Sequence, residues 1–200
     1  RALRGILPAT ASDAKIAARK WAGWLYIGGV TVTGFALLIG FAPRSFSNLP
    51  LTFALLGASL LLSTFKLRLP LWRGVSTMSM ACAADLLALM ILGPSVAMLT
   101  SSAGVLLQCT LKVRRSQPLY RAAFSVASVA ITVQTAGFVW DALGGNPGGP
   151  TLVPLAATTL TYFLVNTALV ATAIGVSNGL SPLRAWYWEF FWSAPSYFLS

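Results

Sequence analysis

Three polar side chains lie inside long apolar stretches of this sequence, where their types and positions could support chemistry. Asp85, Gln134 and Asn166 each fall well within a run of hydrophobic residues. If those runs cross a lipid bilayer, an acidic or amide group there loses its hydration, which is costly unless a partner or a cavity receives it. Such residues mark either hydrogen bonds between helices or a functional site.

The depth of the three residues along their predicted helices places them near one level of the bilayer. At a rise of about 1.5 Å per residue, Asp85 lies roughly 15 Å from the inner end of its helix, and Asn166 lies at a similar depth. Gln134 is slightly deeper, at roughly 21 Å. Thr100 in the fourth predicted helix and Tyr162 in the sixth, which also contains Asn166, extend this polar layer with their hydroxyl groups.

Three interpretations of the polar layer stay open from the sequence. The side chains hydrogen-bond one another as structural links between helices, they line a pocket for a small molecule or lipid, or Asp85 is a proton- or ion-sensing carboxylate. The pocket interpretation predicts the ligand-binding set Asp85, Gln134, Asn166, Tyr162 and Thr100.

The composition argues against catalysis and against bound cofactors. The chain has no histidine, four acidic residues and two cysteines, Cys82 and Cys109. Without His there is no Ser/His/Asp set, and we find no paired carboxylates and no phosphate-binding glycine loop. The usual ligands of zinc and haem are also lacking. We therefore predict a protein that is not an enzyme, with no catalytic residues, no metal site and no cofactor.

The elements that position these residues are six predicted transmembrane helices. Hydrophobic residues make up 56% of the 200 residues and charged residues only 9%, which is too apolar for a soluble domain of this size. The fold class is therefore an all-α bundle of six spans plus the start of a seventh, with its N-terminus in the cytoplasm. The predicted spans are 21–42, 50–65, 75–92, 95–111, 120–143 and 151–176.

Two of these spans are joined only by Gly93 and Pro94. Since Pro94 cannot continue the hydrogen bonding of the preceding helix, this joint predicts a tight antiparallel helical hairpin. Both of its helices are rich in small residues, which allow close helix packing in lipid. We expect this hairpin to form the packed interior of the bundle.

The distribution of positive charge predicts the orientation. With the N-terminus inside, all of the fourteen Lys and Arg residues except Arg44 lie on the cytoplasmic side, as basic residues in short loops resist translocation. The net charge of +10 then meets anionic lipids of the inner leaflet. No basic stripe with interleaved aromatic residues is present, so nucleic acid is not an expected partner.

We divide the chain into three segments. Residues 1–20 form a basic cytoplasmic segment, residues 21–176 the six-span bundle, and residues 177–200 an interfacial aromatic helix that leads into a truncated last span. Because the chain begins at an arginine and stops inside an apolar stretch, we expect it to continue at both ends. Within the interfacial helix, Arg184, Trp186 and Glu189 are the residues predicted to relay a signal.

Several short motifs follow one another in a defined order over residues 60–200. They are Phe65-Lys66-Leu67-Arg68-Leu69-Pro70, Leu92-Gly93-Pro94, Arg121-Ala122-Ala123-Phe124, Tyr162-Phe163-Leu164-Val165-Asn166-Thr167 and Leu183-Arg184-Ala185-Trp186. This order resembles the N-terminal multi-pass sensor region of bacterial cyclic-di-GMP signalling proteins that carry HD-GYP or GGDEF domains. The resemblance implies a sensor in the inner membrane whose last helix drives a cytoplasmic output domain beyond this chain. Where that pattern has Asn after Phe124, this sequence has Ser125.

A weaker, architectural similarity links the chain to the substrate-binding membrane subunits of energy-coupling factor vitamin transporters. It implies capture of a small molecule for uptake as an alternative function, and a structural anchor or dimerisation module is a second alternative. The expected partners are the lipid bilayer, a small-molecule or lipid ligand, and a second copy of the chain in a homodimer.

Overall fold

The computed structural model describes residues 11–43, 48–64, 66–71, 74–79, 81–111, 118–146 and 152–189. Helices dominate these residues, as the predicted all-α class requires. The helices are α1 (Ala11–Gly40), α2 (Leu49–Thr64), α3 (Ala81–Leu92), α4 (Pro94–Leu111), α5 (Leu119–Ala142), α6 (Leu152–Asn178) and α7 (Pro182–Glu189). A short antiparallel hairpin of β1 (Lys66–Leu71) and β2 (Gly74–Ser79) lies between α2 and α3.

Three helices are long and apolar enough to cross a membrane. These are α1 from Arg19 to Gly40, α5 over Leu119–Ala142, and α6 over Leu152–Asn178. Shorter apolar helices cover Leu49–Leu61 and Cys82–Leu92. The chain is thus helical and membrane-associated, with three helices of full spanning length among the six predicted spans.

The third predicted span differs most from the structure. The sequence predicts a helix that begins at Val75, whereas residues 74–79 form β2 and α3 begins at Ala81. Gly74 weakens a helix, and the β-branched Val75 and Thr77 favour an extended backbone. As a consequence, Asp85 lies about 6 Å from the start of its helix rather than 15 Å.

The predicted hairpin of α3 and α4 is confirmed. Gly93 is the single residue between the two helices, and its φ of 82° is a left-handed conformation that glycine adopts without a steric cost. Its amide donates to the carbonyl of Leu89 at 3.1 Å, which closes the end of α3. Pro94 then occupies the first position of α4, where its missing N–H is not needed.

The core lies between this hairpin and α5. Ala97, Met98, Ala130, Val133 and Ala136 are completely buried. They belong to one apolar cluster together with residues of α2, α3 and α6. The hairpin is therefore interior, as predicted, and α5 shares that position. Large apolar side chains elsewhere on the bundle face outward, which suits contact with lipid.

Close contacts at glycines hold α5 against its neighbours. A Cβ added to Gly34 of α1 would lie 2.5 Å from the Cα of Ala127. A Cβ added to Gly137 would lie 2.3 Å from the Cβ of Pro94, at the tip of the hairpin. Only glycine permits backbones this close, so these two contacts fix the relative heights of α1, α4 and α5.

The junction of α6 and α7 is formed by Gly179, Leu180 and Ser181. Gly179 has a φ of 67°, and the amide of Leu180 donates to the carbonyl of Gly175 at 2.8 Å, which closes α6 with a Schellman-type end. Ser181 caps α7, since its hydroxyl accepts a hydrogen bond from the amide of Arg184 at 3.3 Å. Within the predicted segment 177–200, the structure has one helix, α7 (Pro182–Glu189), among the described residues, and the predicted seventh span lies outside them.

Candidate functional site

Asp85 is buried where α2, α3, α4 and α6 meet. Its side chain is 6% exposed. One carboxylate oxygen accepts a hydrogen bond from the Tyr162 hydroxyl at 2.8 Å, and the other accepts one from the Ser59 hydroxyl at 3.4 Å. Ser101 of α4 also faces this carboxyl. We call these four residues, which come from four different helices, the Asp85 cluster.

The sequence brings these residues together through the geometry of its hairpin. Asp85 and Ser101 are equally far from Gly93 along α3 and α4, so in an antiparallel pair they lie at the same level. Ser59 reaches this level because α2 packs closely on α4. A Cβ added to Gly104 would lie 3.2 Å from the Ser59 hydroxyl.

The carboxyl has hydroxyl neighbours and no basic partner. Within the ranges that the structure describes, α2, α3, α4 and α6 contain no Lys, Arg or His. A buried carboxylate without a countercharge is costly, and hydrogen bonds from two hydroxyl groups offset only part of that cost. The site therefore combines full burial, one acidic group and several neutral oxygen atoms.

One hydroxyl of the cluster makes no hydrogen bond of regular geometry. Ser101 is 1% exposed and lies close enough to interact with the Asp85 carboxyl, but its oxygen has no well-aligned partner. The buried hydroxyl groups of Ser102, Ser128 and Thr158 also have no hydrogen-bond partner. Thr158 lies one helical turn before Tyr162, so the two share a face of α6. Since buried polar groups are nearly always satisfied in proteins, Ser101 retains unused hydrogen-bonding capacity beside Asp85.

Of the five predicted ligand-binding residues, only some lie in or next to the Asp85 cluster. Asp85 and Tyr162 are joined directly, and Asn166 lies one turn further along α6 and is half-buried. Thr100 lies next to Ser101 but donates to the carbonyl groups of Val96 and Ala97 within its own helix, at 3.2 and 3.0 Å. Its hydroxyl therefore serves the helix backbone.

Gln134 lies on a different side of α5. It is two helical turns from Ala127, which contacts α1, so the two residues share a face of α5. Ala136, which belongs to the apolar cluster together with Tyr162, is displaced by about 160° around the helix. The Gln134 carbonyl oxygen is buried without a hydrogen-bond partner.

The predicted ligand-binding set lacks two residues of the cluster, namely Ser101, which is next to Thr100 in the sequence, and Ser59. Ser59 lies in a leucine-rich helix whose composition suggested only lipid and core contacts. The signal that could have identified it is the small pair Ala58-Ser59 amid leucines, since small residues mark close helix contacts in membranes.

A second polar contact joins α6 to α7. The indole N–H of Trp186 donates to the Thr167 hydroxyl at 2.8 Å, and that hydroxyl donates to the carbonyl of Phe163 at 2.6 Å. The rings of Trp186 and Phe163 meet edge-on, with centroids 6.3 Å apart. Ala185 is also buried against the bundle. These contacts dock α7 on α6 at Phe163 and Thr167, close in sequence to Tyr162 of the Asp85 cluster.

The other two predicted relay residues are placed differently from Trp186. Arg184 is exposed on the first turn of α7. Glu189 is the last residue of α7, and its side chain lies outside the described part of the chain. Among the described residues, no group of three or more His, Cys, Asp or Glu side chains forms a site for a metal ion.

The fold and the site define a class of protein, namely a helical, membrane-associated domain with a buried polar centre and a docked terminal helix. The match of a family model over residues 46–200 shows that the chain belongs to the MASE9 family. MASE families are membrane-associated sensory domains of signalling proteins. No curated protein and no solved structure matches the chain.

Proposed function

We propose that this chain is a multi-pass sensory module of a bacterial inner membrane that relays a membrane or periplasmic cue to a cytoplasmic signalling output domain. Membership of the MASE9 family supports the sensory role. The observation that carries the relay is that α6 holds both the Asp85 cluster, through Tyr162, and α7, through Thr167 and Phe163.

The two contacts are close enough on α6 to be mechanically linked. Tyr162 and Phe163 are consecutive residues, so a rotation or shift of α6 that breaks the Tyr162 bond to Asp85 also moves the ring against which Trp186 packs. A cue acts by binding one of two α6 positions more tightly than the other. Packed helices favour discrete positions over continuous deformation, which suits such a relay.

In the proposed threading, all six helices from α1 to α6 cross or enter the bilayer, with residues 1–20 and α7 on the cytoplasmic side. At 16 and 12 residues, α2 and α3 reach about 24 and 18 Å, less than the roughly 30 Å of hydrocarbon. The β1–β2 hairpin, whose outer edges are unpaired, belongs at the inner interface. In this threading Asp85 is close to the cytoplasmic surface, since it is about 6 Å from the start of α3 at Ala81.

The relay is tested with a probe on α7 in the purified chain in lipid nanodiscs. A spin label at Leu183→Cys, which is 80% exposed, is introduced after Cys82→Ala and Cys109→Ala remove the native thiols. We expect Tyr162→Phe to increase the mobility of the label, because α6 loses its bond to Asp85. Tyr120→Phe, at an exposed tyrosine, is the matched control. An unchanged spectrum in Tyr162→Phe, with the same helix content, contradicts the relay.

A further inference from the structure

The helices around the Asp85 cluster supply no positive charge that would balance an ionised Asp85. Besides Asp85, its titratable neighbours in the packed helices are Tyr162 and, one turn earlier on α3, Cys82. The described parts of α2, α4 and α6 contain no charged residue, and Arg121 and Asp141 lie at the two ends of α5, exposed. An ionised carboxylate in this setting requires a positive charge from outside the chain.

The hydroxyl groups of the cluster retain unused hydrogen-bonding capacity. Ser59 and Tyr162 donate to the two carboxylate oxygens, whereas the fully buried Ser101 hydroxyl lies close enough to interact with the same carboxyl but makes no hydrogen bond of regular geometry. Each hydroxyl that donates its hydrogen still has lone pairs available. Four side chains from four helices thus place carboxylate and hydroxyl oxygens around Asp85, with no nitrogen or sulfur donor among them.

We propose that the Asp85 cluster is a binding site for one monovalent metal cation, with Asp85, Ser59, Ser101 and Tyr162 as its oxygen ligands. Hard cations prefer oxygen ligands, and the single carboxylate balances a single positive charge. A divalent ion at one carboxylate would leave an uncompensated charge in the bilayer, which is as costly as the empty carboxylate. This site differs from the zinc and haem sites that the composition argues against.

This inference rests on the proposed function and identifies the cue as a monovalent metal cation. An ion that binds between Tyr162 and α2–α4 stabilises one position of α6, and release of the ion favours the other. A proton competes with the ion, since it neutralises the same carboxylate. Occupancy therefore falls as the proton concentration rises.

The test measures thermal unfolding of the full chain in nanodiscs, in sodium, potassium or choline chloride at one ionic strength. A bound ion stabilises the folded state in proportion to the logarithm of its concentration once the site is saturated. We expect the unfolding midpoint to rise with sodium or potassium but not with choline. Asp85→Asn should abolish this dependence, and Asp141→Asn, at an exposed carboxylate, should retain it.

Ser101→Ala and Ser59→Ala keep the carboxylate in place and should weaken apparent ion affinity several-fold, which keeps the test valid if Asp85→Asn does not fold. Equal midpoints in all three salts would overturn the proposal, as would a metal response that survives in Asp85→Asn. A midpoint that depends on pH but on neither metal also overturns it, in favour of a proton alone. If the ion is refuted while Tyr162→Phe still mobilises α7, the sensory proposal stands.

Discussion

At the scale of single residues, the bond between Tyr162 and Asp85 is the most consequential side-chain contact that the structure describes. It joins α6 to α3 across 77 positions of sequence at a distance of 2.8 Å. Both groups are buried, so water cannot replace the lost partner when one of them is removed. A bond of this type stabilises a protein more than an exposed one does.

Tyr162→Phe therefore lowers the free energy of unfolding by about 1–3 kcal/mol, because it leaves a carboxylate oxygen unsatisfied while preserving the aromatic ring. Thermal unfolding in detergent or nanodiscs measures the effect. Tyr120→Phe, whose hydroxyl accepts an exposed hydrogen bond from Arg121, should change stability by much less. Equal effects of the two substitutions would show that the Tyr162 bond contributes nothing specific.

Only some residues of the candidate site can be recognised from the sequence. An acid in an apolar run can be recognised from the sequence, and so can the presence of Tyr162 among the polar residues of another helix. The sequence does not show that the Thr100 hydroxyl bonds its own helix, or that Gln134 lies on the face of α5 that it shares with Ala127. Helical periodicity gives the faces of one helix, but how that helix is rotated against its neighbours depends on packing contacts far apart in sequence.

At the scale of elements, α5 is the helix around which the others assemble. It packs against α1 through Ala127, against the hairpin tip through Gly137, and against the core through Val133 and Ala136. The helix bounds of α4 and α5 agree with the prediction within two residues, since proline and glycine mark their ends. The predicted start of the third span at Val75 was wrong because hydropathy does not distinguish an apolar strand from an apolar helix.

The contact between α1 and α5 can be tested with a matched pair of glycines. Gly34→Ala should destabilise the fold strongly, because the new Cβ would meet the backbone of Ala127 at 2.5 Å. Gly29→Ala is the control, since a Cβ there meets nothing within 4 Å, and it should be neutral or stabilise α1 by up to about 1 kcal/mol. Thermal midpoints of the two variants provide the comparison. A stable Gly34→Ala variant would mean that α1 and α5 do not approach as described.

At the scale of the whole molecule, the two ends of the bundle differ in chemistry. The end that we propose to be cytoplasmic holds Arg19 beside Gly179, where a Cβ would lie 2.5 Å from the guanidinium. A positive charge at the carboxyl end of α6 interacts favourably with the helix dipole. The opposite end holds Asp141 and the turn at Gly144, in which a left-handed glycine closes α5. This asymmetry favours one orientation in the membrane over its reverse.

Two exposed asparagines at opposite ends of the bundle allow a matched test of the orientation. Asn146 follows α5 at the proposed outer end, and Asn178 is the last residue of α6 at the proposed inner end. In a background of Cys82→Ala and Cys109→Ala, each is replaced by cysteine and exposed to a membrane-impermeant maleimide in intact spheroplasts. We expect Asn146→Cys to react at once and Asn178→Cys only after lysis, since basic residues such as Arg19, Lys20 and Arg184 favour a cytoplasmic location of that end. The reverse pattern would place α7 outside the cell and remove the route to a cytoplasmic output domain. Labelling of both sites before lysis would show that the two ends of the bundle do not lie on opposite sides of the membrane.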